Sequence, residues 1–209
     1  MNSVQKKDRG FTLIEVLVVL MIIAVIVAFT IPAMGPALKG SKLRQAADEL
    51  ESLLSGSHQL SITENTPVEI RFFKYEDPES PGSTKMFRSY QSAQVISNPQ
   101  DHKKNSYAVG EVKMLPAAFV IAEKTYSSLV ESEFLRRDEM EIPRSKSAEY
   151  VAFEFRPDGS TNLANVDEKH WALTIMRETD HGSSLDEATE FITLVLNPFN
   201  GRIRRLRPE

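Results

Sequence analysis

The chain contains no cysteine among its 209 residues. This absence excludes disulfides, thiolate nucleophiles and thiolate metal ligands, so a folded domain has to be held together by its apolar core alone. The chain also lacks a strong excess of charge of either sign, since 25 basic and 29 acidic side chains leave a net charge of -4. Bulk charge therefore gives no general attraction to nucleic acid or to anionic lipid.

Patterns that would indicate an enzyme are missing as well. His58, His102, His170 and His181 are scattered, and no two of them have the spacing that presents imidazoles to one metal. No phosphate-binding glycine loop and no G-x-S-x-G nucleophile elbow occur. The segment Asp180-His181-Gly182-Ser183-Ser184 has the residue types of a hydrolase triad, but neighbours in sequence do not have the geometry of one, so a polar turn is predicted. We expect no catalytic residues, no metal and no cofactor, and hence no enzyme.

The N-terminal segment carries most of the information. A basic leader, residues 1–10, ends in Gly10 and is followed by an apolar run over residues 11–31. Because about 20 apolar residues cross a bilayer as a helix, residues 11–31 are predicted as a transmembrane helix with the leader on the cytoplasmic side. Glu15 interrupts this run, although a carboxylate at membrane depth costs about 2.5–3.5 kcal/mol. Some specific partner must offset that cost.

The stretch Gly10-Phe11-Thr12-Leu13-Ile14-Glu15 resembles, without a gap, the class III signal of type IV pilins and type II secretion pseudopilins. The resemblance implies that a membrane-embedded prepilin peptidase cuts after Gly10 and methylates the new amine of Phe11. It implies that the Glu15 carboxylate pairs with the Phe11 amine of a neighbouring subunit and so fixes the register of assembly. The implied location is the bacterial inner membrane, with a cytoplasmic N-terminus and a periplasmic head, and then a filament. The implied partners are the prepilin peptidase, other pilin or pseudopilin subunits through the N-terminal helix, and the inner membrane.

Residues 32–65 are predicted to continue the helix in amphipathic form. Prolines and glycines between residues 32 and 40 predict a bend or local melting, and Asn65-Thr66-Pro67 predicts the end of the helix. Apolar residues at helical spacing between those points predict one buried face. The predicted buried face comprises Leu43, Ala46, Ala47, Leu50, Leu53, Leu54 and Ile62.

Residues 66–209 are predicted as an extracytoplasmic, β-rich head. Short runs with period-two alternation indicate antiparallel strands, and Asn200-Gly201 is a strong hairpin signal between the last two. Tyr126 to Met140 is predicted as a short helix, and Glu76 to Ser83 and Ser97 to Asn105 as polar loops. The predicted fold class is α+β, a long N-terminal transmembrane helix packed on a mainly antiparallel β head. The predicted strands are Val68–Phe72, Met86–Val95, Ala118–Ala122, Tyr150–Phe155, Trp171–Arg177, Glu190–Leu196 and Arg202–Leu206.

Two narrower resemblances concern the head. Phe155-Arg156-Pro157-Asp158-Gly159 and Asn200-Gly201-Arg202-Ile203 are similar to the F-x-P-D-G turn and the C-terminal hairpin of H-type minor pseudopilins and their pilus-assembly relatives. The passage from Val68 to Glu79 resembles the Verru_Chthon cassette protein D family, which shares the prepilin signal and has no settled biochemical role. Both resemblances imply kinship within the same superfamily.

One local basic cluster lies at the C-terminus, formed by Arg202, Arg204, Arg205 and Arg207. Arginines on an edge strand act as a solvated protection against aggregation, which is the simpler interpretation. The alternative is contact with DNA phosphates, which would weaken steeply with salt.

Together these features predict a minor pilin or pseudopilin subunit, processed after Gly10 and assembled into a type II secretion pseudopilus or a type IV pilus-like filament. The alternative is a signal-anchored extracytoplasmic binding or sensor domain that never polymerises.

Overall fold

The computed structural model describes residues 12–97, 104–123, 126–133, 135–163, 171–182, 188 and 190–206, and only the backbone of residues 29–39, 97 and 104. The chain divides into two compact units with the boundary between Ser41 and Lys42. The first helix, α1, runs from Leu13 to Thr63 and so contributes to both units. It stays helical past Pro32 and Pro36, so the predicted local melting is not observed.

Among the residues that the structure describes, no helix combines the length and the apolarity that crossing a membrane requires. The transmembrane part of the fold prediction is therefore not confirmed.

The second unit is built on one antiparallel sheet. The described strands are β1 (Val68–Tyr75), β2 (Met86–Ser97), β3 (Lys104–Ala108), β4 (Lys113–Met114), β5 (Phe119–Ile121), β6 (Arg136–Ile142), β7 (Ser145–Phe155), β8 (Trp171–Arg177), β9 (Phe191–Leu196) and β10 (Ile203–Leu206). The main path of the sheet runs β10-β9-β8-β5-β2-β1-β7-β6, and β3 and β4 pair with β2 beside this path. The coarse prediction of an α+β chain with a mainly antiparallel head is confirmed.

Residues of α1 from Leu43 onward cover one face of this sheet, here called the inner face. Leu43, Ala46, Ala47, Leu50 and Leu54 are buried against it, as the predicted stripe requires. Each buried leucine stabilises the fold by roughly 1.5–3 kcal/mol relative to exposure. Further along α1, the buried positions are Ser57 and Ser61, while the predicted Ile62 is 44% exposed.

The predicted helix over Tyr126 to Met140 is wrong beyond its first turn. The structure has a four-residue helix, α2 (Ser128–Glu131), and then β6, which pairs with β7. The side-chain hydroxyls of Ser127 and Ser128 accept hydrogen bonds from the backbone N–H groups of Thr174 and Ala172, which ties this segment to β8 instead of letting the helix continue. β6 itself is dominated by charged residues, so it carries no alternating apolar signal.

The predicted loop over Ser97 to Asn105 is wrong at both ends. Ser97 is the last residue of β2, and Lys104 and Asn105 open β3, while residues 98–103 lie outside the described part of the chain. β3 is mostly polar, so it lacks the apolar alternation by which a strand is recognised in the sequence. It pairs with β2 from Ser97↔Lys104 to Ala93↔Ala108.

The end of α1 has a left-handed cap. The N–H of Thr66 bonds to the carbonyl oxygen of Ser61, and the N–H of Asn65 to that of Ile62, which is the Schellman pattern. Asn65 adopts the required positive φ of 48°. Pro67, which follows, prevents the helix from continuing.

The last turns of α1 meet the two turns that the narrower resemblance singled out. His58 Nε2 lies 3.0 Å from the carbonyl oxygen of Gly159, and the His58 ring lies 5.3 Å from that of Phe155. The hydroxyl of Ser61 donates a hydrogen bond of 3.2 Å to the carbonyl oxygen of Arg156. Gly201 is pressed against His58 with a φ of +64°, and a Cβ there would lie 2.4 Å from His58 Cδ2. We call these contacts the helix-turn junction.

The junction predicts that Gly201→Ala destabilises the head by about 2–4 kcal/mol, because it combines a left-handed backbone with a forced displacement of His58. Gly82→Ala is the matched control, since Gly82 has a φ of +83° and open space where the Cβ would lie. The control should cost only about 1–2 kcal/mol. Urea unfolding of both purified full-length variants gives the two free energies, and equal losses would show that His58 does not constrain this turn.

Candidate assembly site

The first turn of α1 places Thr12 and Glu15 together. The backbone N–H of Glu15 bonds to the Thr12 side-chain oxygen at 3.3 Å and to the Thr12 carbonyl oxygen at 3.1 Å. Thr12 therefore occupies the N-cap position and Glu15 the third helical position, the spacing of a capping box. A carboxylate there also faces the positive end of the helix dipole. The pattern Thr-x-x-Glu was available in the sequence but was missed, and it gives Glu15 a local role in starting the helix.

The helix that follows presents apolar side chains on all sides. Between Leu13 and Val27 its large apolar side chains are 45% to 84% exposed. A continuous apolar surface of this length is the mark of a segment that another molecule covers. Glu15 is the acidic side chain of the first turn. Gly10 and Phe11, the predicted processing residues, lie outside the described residues.

The arginines of the C-terminal cluster differ in their surroundings, since Arg205 contacts α1 while Arg202 and Arg204 are exposed. Arg205 points to the inner face, where its Nε lies 3.0 Å from Glu51 Oε2 and its Nη2 lies 2.6 Å from Asp48 Oδ1 on α1. Partial burial opposes its charge, but the hydrogen bonds to Asp48 and Glu51 outweigh that effect and raise the pKa of Arg205. Arg202 and Arg204 are exposed, and Arg207 lies outside the described residues. Arg205 thus ties β10 to α1, which leaves a smaller exposed basic surface than the sequence suggested.

A buried ionic cluster on the outer face of the sheet was not predicted. Val68-Glu69-Ile70-Arg71-Phe72 alternates between apolar and charged residues, yet Glu69 and Arg71 are only 1% and 5% exposed. Arg71 Nε lies 2.7 Å from Glu69 Oε1, and Nη1 of Arg136 in β6 lies 3.1 Å from Glu69 Oε2. Removing one partner of such a buried set typically costs about 3–5 kcal/mol. The cluster fixes β6 to the centre of the sheet.

The histidines take no part in a metal site within the described residues. No group of three or more acidic or histidine side chains in that part of the chain is placed to hold a metal ion. His58 belongs to the helix-turn junction, and His181 is half-buried next to a 3₁₀ turn over Glu178–Asp180. His102, His170 and the two serines of the triad-like segment, Ser183 and Ser184, lie outside the described residues.

Comparison with known proteins identifies the class of the N-terminal segment. Residues 5–31 match the family model described as the prokaryotic N-terminal methylation motif. This span includes Gly10 and Phe11 and the exposed apolar turns of α1 that follow Glu15. The chain therefore carries a prepilin-type N-terminal methylation motif.

Three known proteins are similar to the chain. The chain is 30% identical over 90 residues to the competence protein ComGD of Bacillus subtilis, a match that covers 43% of this chain and 63% of that relative. It is similar in structure to the minor pseudopilin EpsH of the Vibrio cholerae type 2 secretion system, with a TM-score of 0.45, 12% identity, and 80% and 98% of the two chains covered. It is also similar to the type IV minor pilin FimU of Pseudomonas aeruginosa, with a TM-score of 0.40, 13% identity, and 80% and 90% covered.

These findings support the pilin and pseudopilin superfamily, as the resemblance of the N-terminal signal predicted. The matched part spans less than two thirds of the curated relative. The narrower likenesses of the head, to H-type minor pseudopilins and to the Verru_Chthon family, stay predictions.

The position of Arg205 predicts a difference between neighbouring arginines. Arg205→Ala should lower the free energy of unfolding by about 1 kcal/mol, since it removes a pair with Asp48 and Glu51 that is only partly screened. Arg204→Ala, the adjacent exposed control, should change it by less than about 0.5 kcal/mol. Urea unfolding at low and high salt measures both, and the Arg205 effect should shrink with salt. An equal effect of the two substitutions would show that the contact of Arg205 with α1 does not stabilise the fold.

Proposed function

We propose that the chain is a minor pilin or pseudopilin subunit. A prepilin peptidase cleaves it after Gly10 and methylates Phe11, and the subunit then enters a type II secretion pseudopilus or a type IV pilus-like filament. The observation that carries this proposal is the exposed apolar surface between Leu13 and Val27, which lies within the segment matched by the methylation motif. Other copies of such a helix are the natural cover for it, since apolar helix faces associate by packing.

Glu15 gives the assembly its register. In an apolar bundle, an unpaired carboxylate is costly, and cleavage after Gly10 creates the cation that can offset the cost, the amine of Phe11 on a neighbouring helix. Breaking a desolvated pair of this kind typically costs about 3–5 kcal/mol, enough to exclude misplaced subunits. The capping contact with Thr12 sets where Glu15 stands in the first turn of the helix.

The proposed location follows from the same segment. Before assembly, residues 11–31 lie in the bacterial inner membrane as a single span, with the basic leader in the cytoplasm and the head in the periplasm. The proposed partners are the prepilin peptidase, other pilin or pseudopilin subunits and the membrane itself. The work of the protein is assembly and contact, without catalysis and without a cofactor.

The alternative, an anchored binding or sensor domain that never polymerises, is not favoured by any contact in the structure. Lipid would cover the apolar helix equally well, but it would provide no fixed cation for Glu15. Contact with DNA has little support either. With Arg205 held by α1, the exposed arginines of the described hairpin are Arg202 and Arg204.

Processing predicts a defined N-terminus. In cells that contain a prepilin peptidase, mass spectrometry of the mature protein should show a chain that starts at methylated Phe11. Gly10→Val is the control, because a β-branched side chain at the cleavage position should leave the leader attached. A wild-type protein that keeps Met1 would contradict the proposal and favour the anchored domain.

Two substitutions of Glu15 separate its local role from its role in assembly. Glu15→Gln keeps a side chain that can serve in the capping box but removes the charge, whereas Glu15→Ala removes both. If the carboxylate pairs with Phe11 of a neighbour, both variants should insert into the membrane normally and be lost from sheared filaments to the same extent. Immunoblots of the filament and membrane fractions measure this.

The carboxylate control for these variants is Glu64→Ala, an exposed acidic residue just after the end of α1, which should assemble normally. Normal assembly of Glu15→Gln with failure of Glu15→Ala would show that Glu15 acts only as a capping residue and that its charge is not needed. Normal assembly of both would remove the register argument.

A further inference from the structure

The sheet of the head ends in two strands that have a neighbour on one side only. Within the described residues, β10 pairs only with β9 at one end of the path, and β6 pairs only with β7 at the other. Unpaired backbone donors and acceptors on such an edge are a template for another strand. We call these two strands the β10 edge and the β6 edge.

The two edges differ in charge. The β10 edge exposes Arg204, with Arg202 just before it, while Arg205 is held by α1. On the β6 edge the exposed side chains include three carboxylates, and the arginines have partners within the same head. Arg136 binds Glu69 and Asp138, and Arg137 donates to the carbonyl oxygens of Glu131 and Ser132. The carboxylates of the β6 edge are Asp138, Glu139 and Glu141.

Asp138 is the carboxylate that stands on the same face as Arg204. Arg204 is opposite Val195 and Asp138 is opposite Tyr150, and both of these positions belong to the outer face, away from α1. The backbone N–H of Glu139 and then Arg136 hold the pKa of Asp138 below its usual range, so this carboxylate stays charged.

Strand directions favour joining the two edges. Every step along the path from β10 to β6 is antiparallel, so the two edge strands run in opposite directions. A second copy in the same orientation would therefore set its β6 antiparallel to β10 of the first. Its helix α1 would stay on the same face of the continued sheet. A junction of this kind is head-to-tail and repeats without closing, as a filament requires.

Pairing of two β10 edges is disfavoured. It would bring Arg204 of both copies together, and like charges opposite each other in a sheet are destabilising. The β6 edge instead offers Arg204 the opposite charge of Asp138. Specificity of this sort, by repulsion of the wrong partner, is common at interfaces.

We propose that the β10 edge of one copy pairs with the β6 edge of the next, so that Arg204 meets Asp138 and the sheet continues from head to head. The occupant of each edge is a second copy of this chain. This inference rests on the proposed function and adds a specific contact between heads to the packing of the helices.

The absence of cysteine makes the test clean, because every introduced thiol is the sole one in its chain. Two differently tagged full-length copies are expressed together in cells, one with Arg204→Cys and the other with Asp138→Cys, and oxidised. A disulfide needs Cα atoms about 4.4–6.8 Å apart, which strand neighbours satisfy. We expect a crosslink that carries both tags, and none when Gln59→Cys, an exposed position on α1, replaces Asp138→Cys.

Two further variants separate the failure of this inference from failure of the proposed function. Val19→Cys, on the apolar part of α1, should crosslink to itself wherever the helices bundle. Crosslinks at Val19 without any between Arg204→Cys and Asp138→Cys would overturn the edge pairing but would agree with the proposed function as a filament subunit. Absence of both would overturn both. A strong self-crosslink of Arg204→Cys alone would show like edges meeting and would also overturn the pairing.

Discussion

The burial of one stripe of α1 against the inner face of the sheet is the interaction on which the head depends. Without cysteine, the domain has no covalent reinforcement, and the central strands would expose an apolar face if the helix were removed. Small residues at Ala46 and Ala47 let the helix lie close to the strands, while Leu50 and Leu54 fill the space between them. The remaining contacts of α1 keep this stripe in place. Arg205 binds its polar side from β10, and the helix-turn junction fixes its C-terminal end.

The sequence predicted this central layer well because its signals are periodic. The stripe from Leu43 to Leu54 and the strands β1, β8 and β9 repeat with the spacing of their secondary structure, and a buried face leaves that repeat in the residues. The end of α1 was also predictable, since Asn65 and Pro67 each have one dominant effect on a helix. Turn chemistry at Gly159 and Gly201 identified the two turns but not their contact with His58, which joins residues about a hundred and more positions apart in the chain.

The polar strands β3 and β6 escaped prediction for the opposite reason. β6 is an edge strand whose charged side chains conceal its pairing with β7, and the apolar residues before it fit a helical spacing that ends after one turn. The alternation around Glu69 and Arg71 gave no sign of their burial, because charged residues are rarely buried without partners. Their partners, Arg136 in β6 and Ser106 in β3, lie on strands that the sequence had not revealed. Local pattern indicates the apolar strands and the last hairpin, whereas β3 and β6 depend on pairing with residues distant in the sequence.

Glu15 has a role within its own helix and a second, proposed role between subunits. As the third residue of α1 it fits a capping box with Thr12, and a carboxylate in the first turn is favourable in any helix. That local explanation accounts for its presence near the start of an apolar segment without any partner chain. The helix dipole also favours its negative charge, which a neutral glutamine would lack. In the proposed assembly that charge has a second role, because apolar neighbours exclude water and the amine of a processed neighbour is the cation that offsets the cost of burying it.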